Sequence, residues 1–150
     1  MIQRPEKYLF ELRLKVRDYE CDLQGIVNNA NYQHYLEHAR HEFLLSIGVS
    51  FNELHERGID FVVTRAEMDY KHPLRSRDEF IVRLYVHKRG VRWLFYQDVY
   101  KAAAEAEKEV LCLHSVVASV AVINGRPKDS PELVEIFEEK FPGIQLYVNN

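Results

Sequence analysis

The stretch Val16–Leu44, VRDYECDLQGIVNNANYQHYLEHARHEFL, contains the change of hydrophobic period that decides the fold. Leading into it, Phe10, Leu12, Leu14 and Val16 alternate with Glu11, Arg13, Lys15 and Arg17. Period two of this kind predicts a half-buried strand. The middle of the stretch, with Gly25 and the paired Asn28 and Asn29, is rich in turn formers. From about Asn29 to Ile47 the period becomes helical. Tyr32, Tyr35, Leu36, Ala39, Phe43 and Ile47 line one face, and Gly48 follows as a C-terminal stop.

Outward from this segment the chain returns to strands. Ser50 and Glu53 have the spacing of a capping box, for a short helix ending near Gly58. Ala66, Met68 and Tyr70 alternate with Glu67, Asp69 and Lys71, and Pro73 closes that run because it has no N–H for a ladder. Phe80, Val82, Leu84 and Val86 alternate with Arg83, Tyr85 and His87, and Arg89-Gly90 signals a hairpin. Val91–Tyr100 and Val110–Ile123 are aromatic and β-branched runs, with KAAAEAEKE (Lys101–Glu109) read as the hairpin between them. Ser130-Pro131 reads as N-cap and first residue of a helix reaching about Lys140. The order strand, long helix, short helix, four strands, short helix predicts an α+β domain in which an antiparallel sheet packs on one dominant helix.

Composition bounds the function. The chain has 150 residues, the size of one domain, with no repeat or low-complexity linker, and is read as a single domain over 1–150. A net charge of −3 argues against nucleic-acid binding, which usually needs a basic surplus. Eight Phe, nine Tyr and one Trp fit a sheet or an apolar binding surface. Cys21 and Cys112 are too few for a disulfide scaffold and have no zinc spacing. The opening segment Met1–Leu14 lacks the apolar core of a signal peptide, and no run reaches membrane-spanning length. The expectation is a cytoplasmic protein.

Asp22 opens the turn before the long helix. The first turn of a helix has N–H groups without internal partners and a positive dipole end, and such groups stabilise an oxyanion. A carboxylate facing them can attack a carbonyl or activate a water. Asp and Asn are also the ordinary turn and cap residues, so residue chemistry alone leaves Asp22, Asn28 and Asn29 open to a purely structural role.

The pattern Tyr19, Asp22, Gly25, Ile26, Val27, Asn28, Asn29, Tyr32, Glu37 and Arg40 resembles the hotdog-fold acyl-CoA thioesterases of the 4-hydroxybenzoyl-CoA thioesterase type. The segment DYKHPLRSRDEFIV (Asp69–Val82) resembles the same family. The resemblance implies a curved antiparallel sheet of about five strands wrapped around one long helix. It implies chains paired edge to edge as a dimer or tetramer, with the site at the interface and no metal or redox cofactor. Asp22 is then the nucleophile or general base, and the Asn29 backbone N–H the oxyanion donor. Gly25, Ile26, Val27, Asn28 and Tyr32 fall to the substrate-binding surface, Gly25 letting the loop turn closely past the substrate. Many members carry Tyr or His at the position of Asn29; a backbone role survives that change and an imidazole role does not. Many carry Gly where this chain has Arg77, which touches no catalytic assignment.

Other residues have competing readings. His34, His38 and His41 share a helix face but sit among Glu37 and Glu42, so a solvated face is simpler than a metal site. Cys21 lacks a local His or Asn partner for a thiol nucleophile. Lys88 with Arg89, or Lys71 with His72, could meet coenzyme A phosphates; each is also an ordinary charged turn or strand end. The expected activity is hydrolysis of an acyl-CoA to free acid and coenzyme A. An acyl carrier protein thioesterase, a non-catalytic acyl-CoA-binding hotdog module and a hydratase or dehydratase are the alternatives. The last is disfavoured because Asp22–Tyr32 contains no His. Val91–Tyr100 and Val110–Ile123 are expected to leave open sheet edges through which copies of the chain pair.

Overall fold

A computed structural model describes residues 7–148. Residues 1–6, part of the opening segment read above, and 149–150 lie outside the described residues. Strand β1 (Phe10–Lys15) leads through a 3-10 turn (Asp18–Glu20) to the long helix α1 (Asn29–Ser46) and the short α2 (Phe51–Glu56). Then follow β2 (Ile59–Tyr70), β3 (Glu79–Arg89), β4 (Arg92–Lys101) and β5 (Val110–Ile123), a two-residue β6 (Arg126–Pro127), and α3 (Pro131–Lys140). The main strands are antiparallel, in the order β1-β3-β4-β5-β2. The sheet curls around α1, the hotdog arrangement expected.

The helical face read from the sequence is the buried one. Tyr32, Tyr35, Leu36, Ala39, Phe43 and Leu44 meet Phe80, Val82, Leu84, Trp93, Phe95 and Leu113 from the concave side of the sheet. A polar clasp holds this contact in register. Arg40 Nη1 donates to Gln97 Oε1 at 2.9 Å, and Gln97 Nε2 donates to the Leu36 carbonyl at 2.9 Å. Gln97 is fully buried on β4, so both ends of its amide need these partners.

Four expectations change. Val91–Tyr100 and Val110–Ile123 correspond to β4 and β5, which are interior; the sheet's edges are β1 and β2. Lys88 and Arg89 belong to strand β3, and the turn falls at Gly90, whose φ of 59° suits its missing Cβ. Strand β2 begins at Ile59, well before Ala66, because an exposed edge strand has no need of alternating apolar residues. Ser130 is the N-cap of α3 by position, but its side chain makes no capping bond.

Candidate functional site

Asp22 is placed by a small hairpin. Cys21 bridges Val27, the Asp22 N–H donates to the Ile26 carbonyl at 2.8 Å, and the Gly25 N–H donates to the Asp22 carbonyl at 3.0 Å. Gly25 sits at φ 79°, a conformation that costs a residue with a Cβ. Asp22 Oδ1 accepts from the Gln24 N–H at 2.9 Å, and its Oδ2 has no hydrogen-bond partner among the described residues. The carboxylate is half-buried. It therefore takes the ordinary turn role and still keeps one free oxygen.

The helix start is tied to the same turn. Asn28 is the N-cap, its Oδ1 accepting from the Ala30 N–H at 2.9 Å. The Asn28 N–H donates to the Glu20 carbonyl at 3.0 Å, and Asn31 Nδ2 donates to that same oxygen at 2.7 Å. Asn29 is the first residue of α1, and its N–H has no partner among the described residues. A free carboxylate oxygen and a free N–H at a positive helix end thus belong to one hydrogen-bonded unit. The edge strand β2 closes on it, with the Tyr70 hydroxyl 3.5 Å from the Asn29 carbonyl that accepts it.

The other residues assigned to substrate divide. Gly25 and Asn28 are exposed at this turn, and Ile26 is half-buried with its backbone bridged to Arg75. Val27 and Tyr32 are core residues, contrary to expectation. Val27 is 2% exposed and Tyr32 3%, and the Tyr32 hydroxyl accepts from the Leu74 N–H at 3.2 Å. Both are drawn to buried Leu74: the Val27 N–H donates to the Leu74 carbonyl at 2.9 Å, and Tyr32 lies on the buried face of α1.

Lys88 and Arg89 do not act as a pair. Strand alternation sends them to opposite faces. Lys88 is fully buried, with Nζ 2.6 Å from Asp129 Oδ1 and over the rings of Trp93 and Tyr147. Arg89 joins Arg65 and Arg92 in a groove of about 440 Å³ on the convex face. Its Nε is buried without a partner among the described residues. The Asp22 turn pairs with residues just before β3, so this groove lies at the far end of an 11-residue strand, roughly 30 Å away within one chain. Lys71 and His72 are exposed beyond the end of β2.

Burial, with the Asp18 and Asp22 charges nearby, pushes the Cys21 thiol up, which disfavours the thiolate a nucleophile needs. His34 and His38 are exposed, whereas His41 is half-buried against the Phe51 ring at 4.4 Å. Burial lowers the His41 pKa. No cluster of three metal-ligating side chains occurs among the described residues, and no helix there is long and apolar enough to cross a membrane. The sequence reading passed over a second feature beside the Asp22 turn. A groove of about 740 Å³ runs between β1 and α1, with Arg13, Lys15 and Arg17 on one side and His34 and His38 on the other. Its signal was present in the polar half of the β1 alternation, which reads as mere solvent exposure until the helix histidines are set opposite.

A curled antiparallel sheet wrapped around one long helix defines a class of fold. Residues 16–134 match the thioesterase-like superfamily, and the chain belongs to it. It is 48% identical over 73 residues to an acyl-acyl carrier protein thioesterase from the chloroplast of Arabidopsis thaliana, covering 49% of this chain and 38% of that protein. The chain thus spans less than half the length of that curated relative. A hypothetical protein from Aquifex aeolicus has a solved structure with a TM-score of 0.77 at 32% identity, covering 85% of this chain and 98% of the other. A 1,4-dihydroxy-2-naphthoyl-CoA thioesterase from Synechocystis shares the fold, with a TM-score of 0.78 at 17% identity over 89% and 98% of the two chains.

Proposed function

We propose that this chain hydrolyses acyl thioesters, releasing a free acid and the carrier thiol, with coenzyme A as the carrier. The observation that carries the reading is that Asp22 Oδ2 and the Asn29 N–H, both without partners among the described residues, belong to one hydrogen-bonded turn. The thioester carbonyl oxygen accepts from the Asn29 N–H, which stabilises the charge that develops there. Asp22 acts on the carbonyl carbon in one of two ways. As nucleophile it displaces the thiolate to form a mixed anhydride, which water then hydrolyses. As general base it takes a proton from the attacking water, and the C–S bond breaks as the proton passes to the departing sulfur. Gly25, Ile26 and Asn28 border the carbonyl, and the acyl chain runs along α1. Neither route uses a metal or redox cofactor. Arg89, with Arg92 beside it in the convex groove, takes the coenzyme A phosphates in this reading, the coenzyme being held across from a second copy of the chain. Two free cysteines suit a reducing, cytoplasmic setting.

A second carrier, acyl carrier protein, is favoured by the relative named above. Asp22→Asn tests the reading. The carboxamide keeps the Gln24 contact and loses both nucleophile and base, so kcat should fall by roughly a thousandfold or more, with the melting temperature unchanged. Activity near wild type in a folded Asp22→Asn protein refutes the assignment. A single turnover in isotopically labelled water, followed by mass analysis of the Asp22 peptide, tests the nucleophile route: label in Asp22 arises only where water opens the mixed anhydride at the Asp22 carbonyl.

A further inference from the structure

The chain carries a net charge of −3, yet the groove between β1 and α1 is locally basic. Arg13, Lys15 and Arg17 are exposed, and none forms a salt bridge among the described residues. They follow one another at every second position of extended backbone, Arg17 continuing the line of β1. The spacing is roughly 7 Å per step. Carboxylates four residues apart on a helix rise by about 6 Å, so an acidic helix laid along β1 matches this row. A single phosphate is too small to engage three cations strung over such a length.

A further observation points to an occupant. The Tyr35 hydroxyl, in a residue only 6% exposed, is turned to the Glu20 carboxylate at the border of the groove and leaves the cations of β1 without an acidic partner among the described residues. Tyr19 in the groove is 75% exposed, its hydroxyl accepting from Arg17 Nη1 at 2.8 Å, and Leu23, in the turn that carries Asp22, is fully exposed. Among the described residues, the one acidic side chain lining the groove is Glu20, whose backbone carbonyl anchors the start of α1. Glu20 therefore joins the cationic row to the turn that carries Asp22.

We propose that this groove is the docking surface for an acidic carrier protein, which lays an acidic helix along Arg13, Lys15 and Arg17 and delivers its thioester to Asp22. This rests on the thioester reading above for the delivery, though not for the binding itself. The arrangement leaves β2 free for other contacts, because β1 is the opposite edge of the sheet.

The experiment measures binding and turnover separately. Phosphopantetheine-bearing acyl carrier protein is titrated against the wild type and against the triple charge reversal Arg13→Glu, Lys15→Glu, Arg17→Glu. The wild type should bind in a salt-sensitive manner, and the reversal should weaken binding by about tenfold or more. With one acyl group on either carrier, KM for the acyl-carrier protein should rise about tenfold while its kcat stays put. The kcat/KM for the matching acyl-CoA should stay within about twofold, which also serves as the folding control. The inference is overturned if the wild type fails to bind the carrier, or if the reversal leaves binding unchanged. It is also overturned if the acyl-CoA loses as much, since the groove then seats coenzyme A phosphates. Salt-sensitive binding that the reversal abolishes, in a protein that hydrolyses neither thioester, supports the docking surface and refutes the hydrolase reading alone.

Discussion

Lys88 is surrounded in a way its sequence neighbourhood gives no hint of. Its ammonium group is fully buried against Asp129, the Gly90 carbonyl and two aromatic faces. The C-terminal segment closes the cage, because the Lys88 N–H donates to the Leu146 carbonyl and its carbonyl accepts from the Val148 N–H. A buried cation deprived of its counter-charge costs far more than an apolar replacement of equal volume. Asp129 is half-exposed, so its own charge is easily solvated once alone. Asp129→Asn should therefore cost roughly 2–3 kcal/mol, whereas Lys88→Met should cost under about 1.5 kcal/mol. Urea unfolding of the two variants checks the order, and a larger loss for Lys88→Met contradicts it. Asp22 belongs to the same scale with the opposite character, since its environment is local and its turn chemistry is written in the residues around it.

At the scale of elements, α1 owes its position to more than its apolar face. The Arg40–Gln97–Leu36 clasp crosses from helix to β4, and burial holds the Arg40 guanidinium pKa down to about 10. Glu37 is the nearest acid on the same helix, but it forms no salt bridge with Arg40 among the described residues. Replacing Gln97 by Leu keeps the volume, strips Arg40 of its acceptor and leaves the guanidinium buried. The expected loss is about 2 kcal/mol, read as a lower midpoint in thermal unfolding. A neutral result would mean that apolar packing alone seats the helix. The element boundaries follow from local causes: Asn28 caps the start of α1, and Gly48 at φ 84° ends it.

The whole molecule has two unequal edges. β1 is six residues long and protected by Arg13 and Lys15, the sort of charge that discourages pairing. β2 is twelve residues long and exposes Val62, Val63 and Tyr70, at 46%, 49% and 46%. A long edge with apolar side chains pairs with its own kind, and antiparallel pairing about a two-fold axis closes the assembly. The chain is expected to be a dimer through β2. Sedimentation should give twice the chain mass at assay dilutions, and Val62→Lys with Val63→Lys should produce monomers with sharply reduced activity. A fully active monomer refutes both the dimer and a site completed across it.

Local order could be read from the chain alone. The switch from period two to period 3.6 around Asn29 marked strand and helix, five of the six residues read onto the apolar face are the buried residues of α1 with Leu44 added and Ile47 at its C-cap, and the Asp22 turn was visible from its Gly and paired Asn. These depend on neighbours a few positions apart, which is all that periodicity and turn chemistry report. The tertiary structure alone decided that β4 and β5 lie inside the sheet, that Val27 and Tyr32 are core, and that Lys88 is caged rather than presented. It alone set the helix histidines opposite the cations of β1. Strand order, edge identity and the neutralisation of a buried charge are settled by residues distant in sequence. Asp129 lies about forty positions beyond Lys88, and nothing in either residue's local pattern encodes that contact.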